Sequence, residues 1–175
     1  IKNMVIKNSL ENKQMYEDMN FMMPLGLKND SLQKKLKISE KNSAEYKSLS
    51  LEIEGISKEI VAHRKSLMKK YPGTFYSKLL NAMLDTDVPE APRKPDGAAL
   101  DTFFSFHYTQ KHYFDNIDFS DSGFVRSPIF HGKLLKYFES YTYPQPDSII
   151  QSIEYVISKS RVNKEMFQFC LNELF

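Results

Sequence analysis

The sequence predicts an all-α fold, with a long helical arm or hairpin followed by a bundle of short antiparallel helices. Three observations carry that expectation. Apolar residues recur at spacings of three and four through most of the chain, the signature of a single buried helical face. Ser, Thr, Asp or Asn stands ahead of these runs, where a side-chain oxygen can take up the free N–H groups of a first turn. Beyond the opening Met4-Val5-Ile6, which would tolerate a strand, no period-two alternation competes.

Ser9, followed by Glu11 and Asn12, predicts a first helix from Leu10 to about Phe21, ended by Pro24 and Gly26, the two poorest residues for a helix interior. Asn29-Asp30-Ser31 then offers caps for a second segment that runs to about Tyr71. Unbroken, that segment would be about 60 Å long, longer than a compact domain of this size is wide. A break is therefore expected at Ser39-Glu40-Lys41-Asn42-Ser43, with Gly55 the second candidate. Tyr46, Leu49, Ile53, Ile56, Ile60, His63 and Leu67 form an apolar seam with Glu and Lys on the far side. Such a seam suits an antiparallel helical pair or a short coiled coil.

Pro72-Gly73 closes the arm, dividing a single helical domain into an arm of 1–71 and a bundle of 72–175. Thr74 caps a helix through Phe75, Leu79, Leu80 and Met83. Asp85 to Pro95, held extended by Pro89, Pro92 and Pro95, reads as a surface loop, with a domain boundary as the alternative. An aromatic helix is expected from Ala98 to about Phe114, and Asp121 caps a short helix ending near Arg126. Ser127-Pro128 starts the helix carrying Ile129, Phe130, Leu134, Leu135, Tyr137 and Phe138. Asp147-Ser148, after Pro144 and Pro146, caps the helix carrying Ile149, Ile150, Ile153, Val156 and Ile157. Asn163 caps the last, which carries Met166, Phe167, Cys170, Leu171 and Leu174.

The formal net charge of +2 comes from 24 basic and 22 acidic residues mixed along the chain. That balance builds no basic face for phosphate, so nucleic acid is not expected as a partner. No run approaches the roughly 20 apolar residues of a membrane span, so insertion is not expected either. The chain opens on Ile1 and closes on Phe175 within an apolar helical pattern, which suggests a region excised from a longer multidomain protein. Its single cysteine, Cys170, lies between Phe169 and Leu171 and reads as a small buried hydrophobe.

The run Phe103 to Phe114 invites a metal or general-base reading, but His107 and His112 are five apart, unlike the i, i+4 pair of a helical zinc site. Packing, with rings inside and polar tips outside, suits them better. Asp115, Asp118 and Asp121 recur every third residue without the alternating oxygens, turn glycine and closing Glu of a calcium loop. Turn formation and capping explain them instead. Arg126 and His131 flank Ser127-Pro128 and could form a positive patch, the alternative being an Arg paired with the Asp-rich turn before it. No nucleophile with its base, Gly-rich phosphate loop or dinucleotide fingerprint occurs. No catalytic residue, metal or cofactor is therefore expected.

The stretch His112-Tyr113-Phe114-Asp115-Asn116-Ile117-Asp118-Phe119-Ser120-Asp121, followed by Val125-Arg126-Ser127-Pro128-Ile129-Phe130-His131, resembles a known helical domain of unknown function. Glu11-Asn12-Lys13, Phe75-Tyr76-Ser77-Lys78-Leu79-Leu80, Val88-Pro89-Glu90 and Pro146-Asp147-Ser148-Ile149-Ile150 extend the likeness over most of the chain. In that family the domain lies upstream of a thioredoxin-like domain in exported Gram-negative proteins of the thiol:disulfide interchange (TlpA/AhpC-like) type. The resemblance implies a periplasmic or cell-envelope location and an accessory role beside a redox domain, with no catalytic residue to carry over.

The leading expectation is thus a non-catalytic module that positions or dimerises an attached thioredoxin-like domain, the dimer forming through the helical arm. The alternative is a ligand- or substrate-binding domain using the aromatic and His region around 107–131, with Tyr108, His112, Tyr113, Arg126 and His131 as candidate contacts.

Overall fold

The computed structural model describes residues 7–95 and 100–175. The β-tolerant Met4-Val5-Ile6 and the expected helix start at Ala98 lie outside the described residues. The chain divides into two compact units, Ile1–Asn81 and Ala82–Phe175. Every regular element among the described residues is helical, as the apolar spacing predicts. No helix among them is long and apolar enough to cross a membrane.

In the first unit α1 spans Leu10–Ile38 and α2 spans Ala44–Lys70. Ser9 caps α1 as expected, accepting from the Asn12 N–H at 3.2 Å. The expected end of this helix at Phe21 is corrected, because α1 continues through both Pro24 and Gly26. A proline inside a helix removes one backbone hydrogen bond at a cost of about 3 kcal/mol. Contacts on both sides of it outweigh that loss: Gln14 and Asp18 are buried before Pro24, Leu32 after it, and Leu25 and Leu36 join the hairpin core.

The break expected between Ser39 and Ser43 is present and is a full reversal of direction. Asn42 turns the chain with φ 70, a left-handed conformation that Asn adopts more readily than most residues. Ser43 then caps α2 by accepting from the Tyr46 N–H at 3.0 Å. The second helix accordingly starts at Ala44 rather than Ser31, and Gly55 stays helical.

The two helices run antiparallel, since Lys28 pairs with Glu52, Asp18 with His63 and Glu17 with Lys70, later partners on α2 facing earlier ones on α1. Leu32, Leu49 and Ile56 form the seam's buried centre, flanked by Leu25, Leu36, Ile53 and Ile60. Each fully buried aliphatic side chain contributes about 1.5–3 kcal/mol. The seam is thus filled by α1 of the same chain.

Helix α3, Phe75–Ala82, is bound to the base of this hairpin. Thr74 caps it through the Ser77 N–H at 3.1 Å. The carboxylate of Glu11 on α1 takes the N–H groups of Phe75 and Tyr76 at 2.7 and 2.8 Å, satisfying donors that a first turn leaves free. Fully buried Gln14 donates to Ser77 Oγ at 2.7 Å and accepts from Thr74 Oγ1 at 2.6 Å, so its amide is paired at both ends. Leu67, Tyr71 and Leu80 close the apolar part of the base. These bonds draw α3 into the first unit, which therefore extends about ten residues past the arm's expected end at Tyr71.

The second unit contains α4, Phe104–His112, a 3-10 turn at Ser122–Arg126, α5, Pro128–Ser140, α6, Pro146–Ser160, and α7, Lys164–Leu174. Helix α4 begins later than expected because Asp101 folds the chain ahead of it, its carboxylate accepting from the Phe103 N–H at 2.8 Å. It ends at His112 instead of Phe114, where His112 closes onto Asp115 at 2.6 Å. Asp121 caps the 3-10 turn through the Gly123 N–H, and Asn163 caps α7 through the Glu165 and Met166 N–H groups. Asp147 is not the cap of α6, since Pro146 already lies in its first turn and Gln145 holds the cap position. Phe114, Phe124, Phe130, Leu134, Val156, Met166 and Cys170 form the core. Phe119 meets Phe130 edge-on at 5.6 Å and Phe114 packs on Tyr137 at 4.9 Å.

Candidate functional site

The second unit carries a groove of about 450 Å³ whose walls are α4 and α6. Helix α4 contributes His107, Gln110 and Lys111, and α6 contributes Ser148, Gln151, Ser152 and Tyr155. Both sets follow the three- and four-residue spacing that brings side chains to one helical face. Tyr137, almost fully buried, forms the floor, and Tyr143 joins the lining from the α5–α6 connection.

The groove is braced by bonds across it. Tyr155 donates its hydroxyl to the Lys111 carbonyl at 2.8 Å, and Gln110 donates its amide to the Tyr141 carbonyl. Thr142 donates to Ser152 Oγ at 3.0 Å. Burial raises the Tyr155 and Tyr137 phenols above their ordinary range, so both stay neutral hydroxyls.

Its electrostatics come from two residues one turn apart on α4. Asp101 Oδ2 holds His107 Nδ1 at 2.7 Å, leaving Nε2 3.5 Å from the Tyr143 hydroxyl. That bond, with a second from the Phe103 N–H, keeps the Asp101 carboxyl below its usual value. Lys111 is exposed and has no ion pair among the described residues. Gln151 is exposed and its amide likewise makes no hydrogen bond among them.

The five expected contacts fall elsewhere. Tyr108 and His112 are brought together, their rings stacked at 4.3 Å, and His112 is held by Asp115. Tyr113 is buried against Phe114, Tyr137 and Tyr141, with the Lys133 ammonium 4.8 Å over its ring. Burial pushes its phenol up to about 12. Arg126 pairs with Glu165 at the start of α7 at 2.8 Å, and His131 with Glu173 near its end at 3.1 Å. The two do not share a partner, and Arg126 reaches α7 instead of the Asp-rich turn. Within that turn Asp118 accepts from the Ser120 N–H and hydroxyl, and Asp115 pairs with Lys159 on α6 at 3.8 Å.

Sequence reasoning passed over Lys111, Tyr143, Gln151 and Tyr155 as site residues. The available signal was the polar i, i+3, i+4 set within the aromatic run of α4, matched by a similar set on α6.

In the first unit, Met15, Met19, Met23 and Leu27 recur every fourth residue on α1 and are exposed by 38 to 71%. Met19, Met23 and Leu27 lie round the helix from Gln14, Asp18, Leu25 and Leu32, which face α2 and α3, and Met15 stands at the edge between the two faces.

A family model described as a domain of unknown function (DUF5106) matches residues 68–174. No curated protein and no solved structure matches the chain.

Proposed function

This chain belongs to the family of domains of unknown function DUF5106, and from that premise we propose that it is a non-catalytic interaction module. It is attached, in this reading, to the thioredoxin-like redox domain of a protein exported to the periplasm or cell envelope. The observation that carries the reading is the outward strip of Met15, Met19, Met23 and Leu27 on a hairpin whose seam is already filled. A contiguous exposed apolar strip suits a partner surface, and unbranched thioethers adapt to an irregular one.

The chain's own thiol supports a division of labour. Cys170 is fully buried and burial pushes it up to about 11, so it supplies little of the thiolate that disulfide exchange requires. Redox chemistry then belongs to the attached domain. Self-association through the arm is a further part of the proposal. Because α1 occupies the seam, two copies would meet through the same outward strip.

Methionine-methyl NMR tests the reading. The partner is a purified thioredoxin-like domain taken from a protein that carries both regions in tandem. Binding shifts the methyl signals of Met15, Met19 and Met23 and leaves that of buried Met166 in place. No change in any of the three contradicts the proposal.

A second reading, a ligand-binding domain, is favoured by one observation: the groove between α4 and α6 presents an unpaired ammonium and an unpaired amide on a braced frame.

A further inference from the structure

We infer that the groove between α4 and α6 binds an acidic sugar, a pyranose carrying a carboxylate. The inference rests on the ligand-binding reading and names the class of ligand.

Three features of the lining select this chemistry. The first is charge. Lys111 has no carboxylate partner among the described residues, whereas His107, one turn earlier on the same face, already has Asp101. The groove therefore offers one ammonium that an incoming carboxylate can pair with, and a charge-assisted bond of this kind is stronger than a neutral one.

The second feature is the balance of donors and acceptors. Ser148, Gln151 and Ser152 line α6, facing Gln110 and His107 on α4. Hydroxyl and amide groups both donate and accept, as the ring hydroxyls of a sugar do. Gln110, Ser152 and His107 already have Tyr141, Thr142 and Asp101, so a fatty or purely aromatic ligand would leave Ser148 and Gln151 without partners, at a cost for each. The exposed Gln151 amide has both functions available.

The third is the aromatic surface. Tyr143 is exposed in the lining, and its ring is set by Phe106 at 5.2 Å. An aromatic face is electron-rich, and the C–H groups on one side of a pyranose give it a weakly positive, apolar patch to cover. The groove's volume of about 450 Å³ falls within the range of small-molecule sites, about 300–1,000 Å³. The bonds from Tyr155 to Lys111 and from Gln110 to Tyr141 hold its walls before any ligand arrives, so little ordering cost falls on binding.

The test is an amide NMR titration of the chain at neutral pH with D-galacturonic acid, beside D-galactose and sodium acetate. Galacturonate is expected to shift the signals of His107, Lys111, Ser148 and Gln151 saturably, with galactose and acetate each about ten-fold weaker or more. Lys111→Ala and Gln151→Ala, both at exposed positions, each weaken galacturonate by about ten-fold, while Lys58→Ala in the first unit leaves it unchanged. Equal binding of galactose overturns the acidic assignment, and equal binding of acetate overturns the sugar; the ligand-binding reading survives either result. Shifts from none of the three overturn both.

Discussion

His63 on α2 lies flat against Phe21 on α1, with ring centroids 3.7 Å apart and 8° between the planes. Asp18 Oδ1 stands 3.2 Å from His63 Nε2, outside hydrogen-bond geometry. The other oxygen of Asp18 accepts from Tyr76 on α3 at 2.8 Å. One carboxylate thus faces both other helices of the first unit. His63→Ala removes the stack and the contact and is expected to cost about 1–3 kcal/mol. Exposed Lys65→Ala should stay within about 0.5 kcal/mol of the parent. Urea unfolding followed by circular dichroism measures both.

The filled seam makes a second prediction. Leu49→Ala and Ile56→Ala, at positions only 7% and 4% exposed, should each cost about 2–4 kcal/mol through lost burial and a residual cavity. Leu51→Ala, two residues from Leu49 and on the outside, should change stability by less than about 0.5 kcal/mol. Equal losses at Leu49 and Leu51 would show that α1 does not cover this face.

Substitutions within α1 should raise stability. Pro24→Ala restores the missing backbone donor and is expected to gain up to about 3 kcal/mol. At Gly26 an added Cβ meets nothing within 4 Å, so Gly26→Ala should gain about 0.5–1 kcal/mol. Thermal midpoints of the two variants check this, and a loss in both would mean that α1 does not run unbroken through these residues.

The base of the hairpin predicts a pH dependence. Lys70 donates to Glu17 at 2.8 Å and Tyr71 at 2.6 Å. These bonds, the Lys70 one foremost, lower the Glu17 carboxyl below its ordinary 4.5. A lowered carboxyl means that the unfolded chain binds more protons, so this stabilisation is full above about 4.5 and is lost as pH falls through the folded value. The same bond raises Lys70 above its ordinary 10.5, and that contribution is present below 10.5 and lost as pH rises through the folded value. Glu17→Gln should therefore flatten both limbs of a plot of thermal midpoint against pH. Limbs unchanged in the variant would contradict the assignment.

Local signals in the sequence were the legible ones. Ser9, Thr74, Asp121 and Asn163 cap what their positions predicted, because a cap acts within three residues of itself. The break within Ser39–Ser43 was visible from the weak helix formers there, whereas its being a full reversal at Asn42 came only with the structure. Pro24 misled because its local cost is outweighed by side chains on α2 and α3, which propensity alone does not register. The groove was hidden because its walls come from His107–Lys111 and Ser148–Tyr155, segments whose meeting depends on the fold of the whole unit. Tyr113, Arg126 and His131 drew notice as a phenol, a guanidinium and an imidazole, yet their neighbours bury or pair them.

The central claim is that the outward strip of α1 engages a thioredoxin-like domain, and isothermal titration calorimetry tests it most directly. The tandem-derived thioredoxin-like domain is titrated into the chain and into its Met19→Asp, Met23→Asp double variant, whose helical circular dichroism is confirmed first. Both positions are exposed, so the variant should fold. The account predicts saturable binding to the parent and a loss of about ten-fold or more in the variant. Equal affinity for both, or no heat with either, would contradict it.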